Sequence, residues 1–97
     1  MRNKKIELMN AKYMNEQYPD TFYVPSDSEL DNLKVGDIVK VCVNRERFWV
    51  EIICFDDKKI STRIDNQLIF TDEHGLSLND HLVINKENIL DIYGSNN

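Results

Sequence analysis

Residues 41–52, VCVNRERFWVEI, constrain the fold more than any other stretch of the chain. Apolar side chains recur at every second position on both sides of a polar centre, the pattern of two strands folding back on each other. A turn centred on Arg45 and Glu46 sets Val43 opposite Phe48, Val41 opposite Val50 and Val39 opposite Ile52. These residues form an inner face, and a one-residue slip would carry all of them to the other side. On the outer face this register sets Cys42 against Trp49, Lys40 against Glu51 and Ile38 against Ile53, with Phe55 beyond. Opposite charges across strands are mildly favourable, so the Lys40–Glu51 pair supports the same register. A fully solvated face would be polar along its length. This one is not, so something covers it.

Two covers are available. The first is the chain's own N-terminus, KKIELMNAKYMNEQY, where Ile6, Met9 and Tyr13 fall at helical spacing and Met14 and Tyr18 continue the stripe. A helix over residues 1–18 follows, ended by Pro19, which disfavours helical backbone at Tyr18. The second is a partner macromolecule anchored on Trp49, since Trp and Arg are enriched among interface hot spots. Arg45 and Arg47 at the hairpin tip, with Lys40 nearby, are ordinary solvated charges or the groups that orient such a partner.

The length of 97 residues suits a single domain, 1–97, and no apolar run approaches the ~18–20 residues of a membrane span. The basic N-terminus lacks the apolar segment of a secretory signal, so the expected compartment is the cytoplasm, with no membrane partner. Net charge is −5 and uneven: residues 13–37 and 64–97 each carry −5, whereas residues 1–12 carry +3 and residues 38–63 carry +2. An acidic chain repels phosphate backbones, so nucleic acid is a disfavoured partner, with only the central segment in its favour. Two cysteines, Cys42 and Cys54, and two histidines, His74 and His81, match no disulfide framework or zinc spacing, so no metal and no cofactor is expected.

The rest of the chain divides into a connector, 19–34, and a β-rich part, 35–93. Ser26 and Glu29 have capping-box spacing, which predicts a helical turn over residues 27–33. LKVGDIVKV and LSLNDHLVI align as one device used twice, a turn followed by an alternating strand, with Gly36 matched to Asn79 and Asp37 to Asp80. Gly and Asn both tolerate the left-handed backbone that such turns require. Further strands are read at 59–65, 67–70 and 89–93, with a turn at Asp65–Asn66. The fold class is therefore α+β: a small, strongly bent antiparallel sheet or SH3-like five-stranded barrel with an N-terminal helix.

Reactive chemistry is sparse. His74 sits in TDEHGL beside Asp72 and Glu73, but no nucleophile, phosphate loop or paired-carboxylate motif accompanies it, so the chain is read as no enzyme. HGL reads as a turn with Gly75 left-handed. Phe48 and Trp49 point to opposite faces, so only Trp49 could stack a base. Cys42 lies near Lys40, which could lower its pKa, but a half-buried inert thiol is the commoner case. DSELDNL and TDEHGLSLND are acidic enough to face a basic protein, although scattered acids usually serve solubility.

The segments FYVPS, LKVGDIVKV, ERFWVEI, HGL and ENILDIY, spread over residues 22–93, resemble a group of small bacterial and mobile-element proteins. ERFWVEI is the most specific of these pieces. The resemblance implies a bent β-sheet domain and supplies no substrate and no catalytic residue.

Together these readings predict a non-enzymatic interaction domain that binds a protein through the Trp49 face, with Lys40, Arg45, Arg47, Glu51 and Ile53 around it. Two alternatives stay open: an acidic phage or mobile-element inhibitor of a nucleic-acid enzyme, and a nucleic-acid-binding SH3-like barrel. An apolar second face also leaves a homodimer open.

Overall fold

In the computed structural model, which describes residues 6–94, the central hairpin closes through Asn44 and Arg45. Both have positive φ, 48° and 74°. Two left-handed residues make the type I′ turn whose twist matches that of the flanking strands, and Asn is well suited to it. The turn therefore sits one residue earlier than the sequence reading has it. β1 (Ile38–Val43) and β2 (Glu46–Asp56) pair with Val43 opposite Glu46, Val41 opposite Phe48 and Val39 opposite Val50. The shift is by two positions, so the inner and outer faces stay as predicted while every cross-strand partner changes. Lys40 faces Trp49, Cys42 faces Arg47 and Ile38 faces Glu51. The Lys40–Glu51 pairing is thus incorrect: the shorter turn draws Glu46 into the ladder.

β2 continues past this hairpin and pairs with β3 (Lys59–Ile64), which in turn pairs with β4 (His81–Ile84). β5 (Asp91–Ile92) returns to the far edge of β1, giving an antiparallel sheet in the order β4-β3-β2-β1-β5. Its edge strands do not pair with each other, so the sheet is open. A bulge at Ile53 inserts one extra residue into β2. Bulges bend a strand and reset its alternation. Phe55 consequently pairs with Ile60 on the core side instead of continuing the outer face.

The two strand-entry turns are built alike. Asp37 Oδ2 accepts from Lys34 N at 2.9 Å, and Asp80 Oδ2 accepts from Ser77 N at 3.0 Å. Gly36, φ 96°, donates to Ile52 O at 2.8 Å, and Asn79, φ 74°, donates to Ile64 O at 2.9 Å. Each turn thus docks the start of one strand onto its neighbour, β1 onto β2 and β4 onto β3.

Among the described residues three short helices accompany the sheet. α1 (Ala11–Gln17) starts at Asn10, whose side chain accepts from Tyr13 N. It ends before Pro19, as expected. Its start is later than the sequence reading has it: residues 6–10 are extended, with Leu8 bridging Val43 and Met9 N donating to Cys42 O. The strand edge left open beside β5 captures them. Of the predicted helical stripe, Ile6, Tyr13 and Tyr18 are exposed, whereas Met9 packs against buried Ala11, Cys42 and Leu90. The part of that predicted helix before residue 6 lies outside the described residues. α2 (Asp27–Asp31) carries the predicted Ser26–Glu29 capping box. α3 (Thr71–His74) ends at Gly75, φ 78°, as HGL suggests. The strand read at 67–70 is a loop instead, because its backbone donors are taken by a side chain, described below. A 3₁₀ turn, Lys86–Asn88, leads into β5.

The core is Val39, Val41, Val43, Phe48, Val50, Ile52, Ile60, Ile64 and Ile84, with Leu76, Leu82 and Ile89. A smaller cluster of Ala11, Cys42 and Leu90, joined by Met9, Phe22 and Val24, closes one end of the outer face. Glu46, Thr62, His74 and Asn88 are buried too. Among the described residues no buried side-chain nitrogen or oxygen lacks a hydrogen-bond partner, which is what burial of polar groups requires.

Candidate interaction surface

Trp49 stands at the middle of the outer face, half-buried. Its neighbours follow from the register. Lys40, directly across on β1, holds its ammonium 4.8 Å from the ring centroid. Tyr93, just past β5, meets the indole edge-on at 5.6 Å and 83°. The Tyr93 N–H donates to Ile38 O at 2.8 Å, which fixes the tyrosine beside the sheet. On the other side, just past the end of β3, the Trp49 N–H donates to Asn66 Oδ1 at 2.8 Å and the Trp49 carbonyl accepts from Asp65 N at 3.0 Å. Cation–π and edge-to-face contacts each contribute on the order of 0.5–1.5 kcal/mol. They hold the indole in one orientation and leave part of it in water.

Of the six residues proposed from sequence, Trp49 and Lys40 come together as a unit. Arg47 lies over the Phe22 ring at 5.9 Å, beside buried Cys42. Burial raises the Cys42 thiol pKa, and nearby Arg47 offsets this only in part. Glu51 is drawn away from Lys40 by Arg63, whose Nη2 lies 2.8 Å from Glu51 Oε1 and 3.0 Å from Asp65 Oδ1. Arg63 also donates to Asn79 Oδ1 at 2.7 Å. Arg45 occupies the turn, exposed, and Ile53 is exposed at the bulge. The outer face is therefore mixed. The N-terminal segment covers its Cys42 end, Lys40 and Tyr93 shield Trp49 in part, and an ion-pair network occupies the rest.

Sequence reasoning missed Tyr93, Arg63 and Asn66, which reach the site through β5, β3 and the loop after β3. It also missed a buried pair behind the hairpin tip. Glu46 Oε2 accepts from Ile69 N at 2.6 Å, and Oε1 accepts from Phe70 N at 2.9 Å and faces His74 Nε2 at 3.0 Å. Leu76 N donates to His74 Nδ1 at 3.0 Å. Because that N–H can only donate, Nδ1 is an acceptor and Nε2 carries the proton given to Glu46. Burial works against the Glu46 carboxylate, but the bonds from Ile69, His74 and Phe70 outweigh it and lower its pKa. Both ring nitrogens are engaged and the His74 side chain is fully enclosed, so no substrate atom can reach it. The available signal was parity: Glu46 lies two positions before Phe48, on the inner face.

A cleft of about 980 Å³ lies elsewhere, with Val24, Leu30, Phe55 and Ile60 among its lining, and none of the six residues borders it. Among the described residues no group of three His, Cys, Asp or Glu side chains is placed to hold a metal ion, and no helix is long and apolar enough to cross a membrane. Compared with protein-family models, with curated proteins and with solved structures, the chain matches none.

Proposed function

We propose that this chain is a non-enzymatic interaction domain that binds a protein partner through the outer sheet face centred on Trp49. The observation that carries the reading is a half-buried tryptophan, held by Lys40 and Tyr93, on a face that the chain's own helices leave uncovered at that point. Large aromatic anchors fixed in the free protein lose little entropy on binding. The partner buries the remaining indole surface, Lys40 and Arg47 orient it by charge, and the domain acts by occluding that partner's surface. The strand order, with a 3₁₀ turn before the last strand, fits an SH3-like barrel. The reading assumes a cytoplasmic protein. Nucleic-acid binding is the weaker alternative, since Phe48 is buried and Lys40 already occupies the Trp49 ring.

Substitution of Trp49 tests it. Trp49→Ala is expected to leave the domain folded by circular dichroism and to abolish binding to a partner recovered with the wild type. A variant that unfolds would make Trp49 a core residue and remove the basis of the proposal. Self-association lost with the same substitution would identify the partner as a second copy.

A further inference from the structure

The segment between β3 and α3, with α3 itself, is fastened to the hairpin tip by one buried carboxylate. Of residues 67–75 His74 alone is buried, and Leu68 packs against the core from its edge. The N–H groups of Glu73, His74 and Gly75 donate to the Phe70 and Thr71 carbonyls, so these bonds stay within the segment. Both ends are anchored: Asp65 and Asn66 bond to the Trp49 backbone, and Leu76 lies in the core. Between these anchors Glu46 accepts from Ile69 N, Phe70 N and His74 Nε2, and His74 Nδ1 accepts from Leu76 N. A stretch with so little buried apolar surface opens locally at low cost, so the bonds to Glu46 decide whether it stays closed.

These bonds hold one proton, on His74 Nε2, and have no place for a second. All three partners of the Glu46 carboxylate are donors, so a protonated carboxyl would turn a donor towards donors. A proton on His74 Nδ1 would face the Leu76 N–H in the same way. The other charged groups of the neighbouring elements lie outside the pair. Arg45 and Arg47 are exposed, with Arg47 over Phe22, and Asp65 is paired with Arg63. Asp72 and Glu73 of α3 are exposed, and β1 sets apolar Val43 opposite Glu46. We propose that residues 67–75 form a proton-operated latch: when the Glu46–His74 pair takes up a second proton, the segment lifts from the hairpin tip while the sheet stays folded. The sign follows from linkage. Burial opposes the Glu46 carboxylate, yet the bonds from Ile69, His74 and Phe70 hold its pKa below the ordinary 4.5. Those bonds exist only in the closed segment. Closure is therefore fully supported above about pH 4.5 and is lost as pH falls through the lowered value.

Amide hydrogen exchange followed by NMR on the full chain, from neutral pH to about pH 3, tests this. Rates are corrected for the intrinsic effect of pH. The expected result is that protection of the Ile69 and Phe70 amides falls by about tenfold per pH unit on the acid side, the slope of one proton. The Val41 and Val50 amides of the β1–β2 ladder keep their protection over the same range. At neutral pH the His74 ring should carry its proton on Nε2 and none on Nδ1. Glu46→Gln, which cannot titrate, should leave Ile69 and Phe70 poorly protected at neutral pH and remove the pH dependence. Loss of protection at Val41 and Val50 in step with Ile69 and Phe70 would overturn the proposal, because the domain would be unfolding as a whole. So would Ile69 and Phe70 protection that ignores pH, a His74 proton on Nδ1, or a Glu46→Gln chain with the wild-type profile. If Glu46→Gln does not fold, the wild-type profile decides.

Discussion

His74 Nε2 and Glu46 Oε1, 28 positions apart in sequence, meet at 3.0 Å inside the protein. The contact joins the start of β2 to α3 and holds the intervening loop against the hairpin. Its consequences are open to measurement.

The first is acid sensitivity. The Glu46 pKa is lowered in the fold from an ordinary value of 4.5. A carboxylate with a depressed folded-state pKa contributes its stability in full above the unfolded value. That contribution is lost as pH falls through the folded value. Urea unfolding should therefore show stability dropping below about pH 4.5. Glu46→Gln should cost about 3 kcal/mol at neutral pH and flatten the acid limb, because the group that titrates is gone.

The hairpin turn gives a prediction of opposite sign. Arg45 has φ 74°, a conformation that costs an L-residue roughly 1 kcal/mol and glycine almost nothing. Arg45→Gly should raise the urea midpoint, worth about 0.5–1 kcal/mol. Asn44→Gly should gain less, since Asn44 Oδ1 also accepts from Glu7 N.

The paired entry turns should respond in parallel. Asp37→Ala and Asp80→Ala each remove the side-chain acceptor for the first residue of the turn, at a cost of about 1 kcal/mol. Gly36→Ala should cost a similar amount despite open space around a new Cβ, because φ 96° itself strains an alanine. Equilibrium unfolding of the three variants checks this. A loss at one turn and none at the other would break the equivalence.

Thiol chemistry separates the two cysteines. Cys54 is exposed, whereas Cys42 is buried and its pKa is raised. Under native conditions a thiol reagent should titrate one group rapidly, and the second only on unfolding.

These predictions draw on features of unequal legibility. The Ser26–Glu29 box and the repeated Gly36–Asp37 and Asn79–Asp80 turns were readable because local hydrogen bonds dictate them. The inner-face residues were readable because alternation survives a two-residue register shift. The register itself was not, since an arginine is a poor signal for a left-handed turn position. Phe55 was assigned to the wrong face because nothing local marks Ile53 as a bulge. Residues 6–10 read as helix, yet an open edge beside β1 outcompetes that propensity. The stretch 67–70 reads as strand, yet Glu46 takes its donors. At the site, Trp49 and Lys40 were legible as members of one face. Tyr93 and Arg63 were not, because strands distant in sequence bring them there.

The account rests most on the state of Trp49, the only tryptophan of the chain. Acrylamide quenching of its fluorescence in the folded monomer tests this directly. The structure predicts partial quenching at an intermediate emission wavelength, increased by Lys40→Ala and by Tyr93→Ala, each of which uncovers the ring without unfolding the sheet. A blue-shifted emission that acrylamide cannot quench, unchanged in both variants, would contradict it and return Trp49 to the core.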